Sequence, residues 1–222
     1  MSVTVVDKLY EKLCSPDFQN TAQGDLFYNY FIVPYDPKKE YETRERIQWY
    51  QDNLIRPTNF VNALHIDIFD TFCKFLDNQP FGQNYPSYLR FLMEIEQKDQ
   101  DGSEGVAQSL GILSQSDNFI KHIRDLIIEH KNNVIAESAL QGKETEIKTP
   151  YVFISGFGNI YPYLRLSTFL NKYEGVNQTH EYKLIVFYPG RPEGNSFKLF
   201  DCFEDNHVYR ASLILDFRNP QA

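Results

Sequence analysis

The chain has 222 residues, 42% hydrophobic and 15% aromatic, enough apolar side chain to bury a sizeable core and to exclude global disorder. Its formal charge of −8, with no dense Lys/Arg run, argues against sequence-independent binding to a phosphate backbone. Cys14, Cys73 and Cys202 are scattered and odd in number, with no Cys-x-x-Cys spacing, so neither a zinc knuckle nor a disulfide framework is indicated. With no signal-like start and no apolar run of membrane-spanning length, reduced thiols in the cytoplasm are expected.

Val6, Leu9, Tyr10 and Leu13 follow a helical period, and Pro16 is expected to stop that helix. Phe27–Tyr35 is a run of aromatic and β-branched residues that reads as a strand buried on both faces. Asp36-Pro37 turns the chain into a helix over Lys39–Leu54, ended before Pro57. Phe60–Ile68 reads as a second strand and Phe69–Leu76 as the start of the next helix. Pro86 suits a first helical turn, followed by Tyr88, Leu92 and Ile95 on one face. Gln97–Gly105 reads as an exposed loop. Phe119, Ile123, Leu126 and Ile127 mark the strongest helix, Asp117–Lys131, with Glu137–Thr149 a polar linker.

In the last third, Tyr151–Ser155 is a short apolar strand followed by Gly156-Phe157-Gly158 and a helix opening near Pro162. Lys183–Tyr188 is a strand ending at Pro189-Gly190. Phe197–Phe203 and Val208–Leu215 read as two more, joined by a hairpin at Glu204–His207. The pattern predicts an α/β fold in one domain over 1–222, with 80–148 as a helical insertion. Its sheet is mixed, with helices on both faces, parallel N-terminal crossover units and an antiparallel C-terminal meander.

No catalytic constellation emerges. Gly156 and Gly158 lie between a strand and a helix, where backbone N–H groups can cradle phosphate, but Tyr161 stands where a dinucleotide fingerprint has its third glycine. A tight turn is the simpler expectation. Ser155 precedes its glycines instead of lying between them, unlike a nucleophile elbow. His65, His122, His130, His180 and His207 are too dispersed to nominate a base or a metal pair, and His65 reads as a hydrogen-bonded core residue. Glu181-Tyr182-Lys183, with Asp67 and Asp70, resembles a nuclease pattern only in spacing. Arg165 and Arg210 sit among apolar residues, so each needs a polar partner or a solvated head group over a packed stem.

Ser155-Gly156-Phe157-Gly158-Asn159-Ile160-Tyr161-Pro162-Tyr163-Leu164-Arg165, then Phe169-Leu170-Asn171, Val186-Phe187-Tyr188-Pro189-Gly190, Gly194–Phe200 and Tyr209-Arg210-Ala211 resemble the BrxB family of BREX (bacteriophage exclusion) systems. Tyr35-Asp36-Pro37 and Arg44-Glu45-Arg46 add weaker support. The resemblance implies a place in a phage-defence locus that also encodes an alkaline-phosphatase-like protein, a large ATPase and a methyltransferase. It transfers no catalytic residue, metal or cofactor. Gly156, Gly158, Pro162, Arg165, Tyr188, Pro189, Gly190 and Arg210 match the motif without acquiring a role. The expectation is a non-enzymatic adaptor that binds other BREX proteins and meets DNA only indirectly. A nucleotide sensor or enzyme using the Gly156–Gly158 loop, or a DNA-binding accessory protein using Arg165 or Lys183, are the alternatives.

Overall fold

A computed structural model describes residues 5–19, 29–57, 59–98, 103–140, 149–177, 181–193, 196–205 and 211–214. Arg210, Tyr209, Gly194, His180 and His207 lie outside the described residues.

The first elements are α1 (Val5–Cys14), α2 (Pro16–Gln19) and β1 (Tyr30–Tyr35). Pro16 does not simply end a helix; it opens α2, where its missing N–H costs nothing. All six residues of β1 are buried. Asp36 follows and accepts from the Lys38 N–H at 3.0 Å, turning the chain into α3 (Glu40–Leu54). Next come β2 (Ala63–Asp67), α4 (Ile68–Asp77), α5 (Tyr88–Lys98), α6 (Ser103–Ser114) and α7 (Asp117–Leu140). They are followed by β3 (Tyr151–Ser155), α8 (Phe157–Ile160), α9 (Leu166–Val176), β4 (Lys183–Glu193), β5 (Ser196–Leu199), β6 (Phe203–Asp205) and β7 (Ser212–Leu213).

The sheet runs β2-β3-β4-β1-β7, with every neighbouring pair parallel, and β5 and β6 add an antiparallel hairpin to the far end of β4. Side chains alternate across it. Phe31, Val33, Tyr151, Phe153, Ile185 and Phe187 face one core with Leu9, Leu13, Ile47 and Tyr50 of α1 and α3. Ile32, Val152, Ile154, Leu184 and Val186 face the other with Phe72, Phe119, Ile123 and Phe169 from the later helices. The expected α/β class, with a mixed sheet covered by helices on both faces, is what the chain forms.

Several boundaries differ for physical reasons. Residues 103–105 belong to α6 and not to a loop; Val106, Leu110 and Leu113 share one face and pack on the second core, outweighing Gly105 and Gly111. The strong helix α7 continues to Leu140, because Ala136, Glu137, Ala139 and Leu140 are good helix formers despite their polar context. The helix expected near Pro162 divides into α8 and α9 around a cis Tyr161–Pro162 bond. Strand β4 does not end at Pro189-Gly190 but changes partner there, from β1 at Pro189 to β5 at Gly190. The hairpin turn lies at Phe200-Asp201, with Cys202 N–H donating to Leu199 O at 3.1 Å. The last strand leaves the antiparallel series: β7 pairs parallel with β1, through Phe31 and Ile32.

The chain leaves β1 towards one face, into α3, and leaves β2 and β3 towards the other, into α4 and α8. In open α/β sheets such a reversal places ligand sites beyond the C-terminal ends of the strands. Here that edge carries Tyr35, Asp67, Ser155 and the Tyr188-Pro189-Gly190 segment.

Candidate functional site

At this edge the motif glycines are consumed by close packing. Gly156 has φ +86, in the left-handed region, and a Cβ there would land on the Asp67 carboxylate. A Cβ on Gly158 would lie 2.8 Å from the Phe200 ring and 3.2 Å from Pro189 Cγ. One on Gly190 would strike the backbone carbonyl of Lys198. Gly156, Gly158, Pro189 and Gly190 therefore seat β2, β3, β4 and the hairpin against one another. Tyr188 is buried, packing edge-on against Phe197 at 5.7 Å. Pro162 is exposed in the turn after α8.

The tight-turn expectation for the glycines agrees with this geometry. A phosphate cradle does not fit it. Helix α8 has four residues, and the Asn159 and Ile160 N–H groups already donate to Gly156 O at 3.0 and 3.2 Å. The Asp67 carboxylate against Gly156 would also repel an anion.

That carboxylate belongs to a polar cluster under the N-terminal end of α3. Asp67 Oδ1 accepts from the N–H groups of Phe69 and Asp70 at 3.0 and 3.1 Å, capping α4. Its Oδ2 meets Arg44 Nη2 at 3.4 Å, and Arg44 Nε donates to Glu40 at 2.9 Å. The Tyr35 hydroxyl donates to Glu40; burial, reinforced by the Glu40 charge, pushes that phenol well above its usual range. His65 Nε2 pairs with Ser155 Oγ at 2.8 Å. Ser155 is 1% exposed, which keeps this Ser–His pair from meeting an external substrate and gives it the character of a core hydrogen bond. Sequence reasoning did not assemble this cluster. Its legible signals were the Glu40/Arg44 helical spacing and Asp67 standing just before a helix.

Burial holds the His65 imidazole below its ordinary value, opposed by Asp67 and Asp70 and assisted by Arg44. His130 is lowered by burial as well. A lowered folded-state value means the neutral ring is favoured by folding. That contribution is complete above the unfolded value of about 6.5 and is lost as pH falls below it. The thermal midpoint is expected to drop as pH goes from neutral towards 5, and His65→Gln to flatten part of the drop. An unchanged pH profile in His65→Gln would contradict this.

The nuclease-like set is dispersed. Lys183 opens β4 in register with Tyr151, whereas Asp67 aligns with Ser155, four residues or about 13 Å along the strands. Glu181 pairs with Lys131 instead. Lys183 is 5% exposed, with its Nζ 4.4 and 5.2 Å from the ring centres of Phe18 and Phe31. Burial and nearby Lys12 push its ammonium down from the usual range. It is therefore withdrawn from any DNA contact. Lys183→Met removes the desolvation cost along with the cation–π contacts, so its melting temperature should equal or exceed the parent's. A clear fall, read by calorimetry, would show that the ammonium is net stabilising. His122 packs against Phe75, tilted, with ring centres 5.3 Å apart. Among the described residues, no group of three His, Cys, Asp or Glu is placed to hold a metal.

Beside the glycine turn, a shallow cleft with about 260 Å³ of empty space, open solvent included, lies between α8, α9 and the hairpin. Phe157, Leu164, Tyr188 and Leu199 form its apolar floor; Tyr161, Arg165, Phe203 and Glu204 form its mouth. Arg165, just before α9, is exposed, with its guanidinium 5.8 Å from the centre of the Tyr161 ring and Nη1 donating to Glu204 O at 3.4 Å. The solvated head group, not an internal ion pair, is the form it takes. Arg210, the other arginine singled out by sequence, lies outside the described residues.

These features define an open, doubly wound α/β protein whose switch-point edge is filled by its own side chains and a folded-back hairpin. The chain belongs to the BrxB family of BREX phage-defence systems: the family described as "BREX protein BrxB" matches residues 64–214. A BREX protein BrxB from Bacillus cereus (strain H3081.97) is 26% identical over 220 residues, covering 95% of this chain and 96% of that relative. No solved structure matches. The family match takes in the Gly156 turn, the cleft and the hairpin, and leaves out Tyr35, Glu40 and Arg44. Among the described residues no helix is long and apolar enough to cross a membrane.

Proposed function

We propose that the chain is a non-catalytic assembly component of a BREX system, holding another BREX protein, the alkaline-phosphatase-like protein or the large ATPase, in the cytoplasm. One observation carries the reading. The motif residues Gly156, Gly158, Pro189 and Gly190 are spent on close packing, and what they support outwardly is an aromatic hairpin with no reactive group aligned for chemistry among the described residues. Co-expression of the tagged chain with the other proteins of its locus, followed by gel filtration at physiological salt, tests it. Co-elution with one of the two named proteins is expected. Elution apart from every component would end the reading.

The nucleotide alternative meets the Asp67 carboxylate at the very turn it needs. Titration with ATP, GTP or NAD, with magnesium, should give no saturable heat. Gly158→Val is a poor probe of such binding, since its side chain would displace Phe200 and Pro189 whether or not a ligand exists.

A further inference from the structure

We propose that the cleft between the α8–α9 turn and the β5–β6 hairpin is the docking surface, and that its partner is a protein segment placing one apolar side chain in the cleft and a carboxylate on Arg165. This rests on the assembly reading above and names the surface and the chemistry that would serve it.

The apolar half of the argument is contiguity. Phe203 is 45% exposed and Phe200 37%, and they are not scattered singly. Their rings lie 6.5 Å apart, and Phe203 lies 5.0 Å from Tyr161 at the cleft mouth. Isolated exposed aromatics are ordinary, whereas aromatics grouped with an arginine around a depression have the composition of an interface centre. The cleft is shallow and open to solvent on one side, with almost no enclosed space, so it suits an apolar side chain laid against its floor and not an enclosed small molecule.

The patch is also held in place before any partner arrives. Phe200 N–H donates to Pro189 O at 2.8 Å, and its ring rests on Gly158. Phe200 and Asp201 have φ +51 and +66 in the three-residue loop between Leu199 and Phe203, left-handed values that turns usually assign to Gly or Asn. A bulky phenylalanine kept in that conformation costs about 1–2 kcal/mol. The strain is accepted where the ring both wedges the hairpin and stays partly exposed. Pre-organisation of this kind lowers the ordering cost of binding.

The polar half is charge. Among the described residues, Arg165 has a carbonyl and a ring for company and no carboxylate within ion-pair distance. The Glu204 carboxylate faces Lys198 at 3.3 Å, which also holds Glu193 at 2.6 Å. Among the described residues, the cleft mouth thus offers a guanidinium with donors to spare, on a chain of net charge −8. A planar guanidinium beside an apolar floor fits a carboxylate next to an apolar side chain.

The test is co-purification of locus proteins on the full chain carrying Phe203→Ser, Arg165→Glu, Arg165→Lys, or, as a control at the end of α3 on the opposite face of the sheet, Ile55→Ser at a 54% exposed position. Phe203→Ser and Arg165→Glu should each reduce recovery about tenfold or more at a melting temperature within a few degrees of the parent's; Arg165→Lys, which keeps the charge but not the planar fork, should reduce it less, and Ile55→Ser should leave it unchanged. Recovery by the parent with equal recovery by Phe203→Ser and Arg165→Glu overturns the surface and leaves the assembly reading standing. Loss in Phe203→Ser alone, with Arg165→Glu still binding, overturns the acidic partner. Self-association of the parent, abolished by both substitutions, assigns the cleft to a second copy and overturns the proposed occupant. Failure of the parent to recover any component removes the assembly reading and this surface with it.

Discussion

Gly156→Ala is expected to destabilise the chain by about 2–4 kcal/mol, a large share of the stability of a typical domain. Two costs combine. A residue with a Cβ pays about 1–2 kcal/mol for the left-handed backbone at φ +86. The new methyl also meets the Asp67 carboxylate, which cannot retreat without giving up the Phe69 and Asp70 N–H groups and the Arg44 contact. Loss of a helix N-cap is worth about 1 kcal/mol by itself. Urea unfolding of Gly156→Ala, Asp67→Ala and the double variant separates the two. Removing the carboxylate first should shrink the glycine effect by about 1 kcal/mol or more, leaving the backbone part. A Gly156→Ala midpoint within error of the parent would refute the close-packing account of this turn.

Gly190→Ala is expected to act just as strongly but locally. Its Cβ would strike the Lys198 backbone carbonyl, which, unlike a side chain, cannot swing aside while β4 and β5 remain paired. The pairing of Gly190 with Leu199 and of Arg191 with Lys198 must open, and the hairpin with it. Amide exchange in 196–205 should rise by orders of magnitude, while β2 and β3 keep the protection of the parent. Partner recovery should fall along with that protection. Unaltered exchange in β5 would show that the hairpin is not seated through this glycine.

How much of this was readable depends on how local the deciding physics is. Tyr151–Ser155 was legible to the residue because an apolar run bounded by Pro150 and Gly156 leaves little choice. The parallel crossover units followed from strands alternating with helices. Pairing of β7 was not legible: a two-residue strand carries no periodicity, and only its place beside Phe31 and Ile32 determines its direction. The hairpin turn was hidden because its left-handed positions hold Phe200 and Asp201 in place of glycine or asparagine. The continuation of β4 was hidden because Pro189-Gly190 ordinarily reads as a stop.

The edge itself was half visible. Gly156, Gly158 and Arg165 stood out in the sequence, and the turn reading of the glycines survives contact with the structure. The cluster of Tyr35, Glu40, Arg44, His65, Asp67 and Ser155 did not stand out, because segments up to 120 positions apart meet only once the order β2-β3-β4-β1 is known. What sequence could not supply was the occupant of each glycine's missing side-chain space: a carboxylate, a ring and a carbonyl, all from this chain.

Hydrogen exchange across the full chain, alone and then bound to whichever locus protein co-purifies with it, bears most directly on this picture. The account predicts new protection confined to 161–165 and 196–205, with 151–158 already protected in the free chain and unaffected by ATP. Protection that instead appears at 155–158 on adding nucleotide, with the hairpin unchanged by the partner, would contradict it.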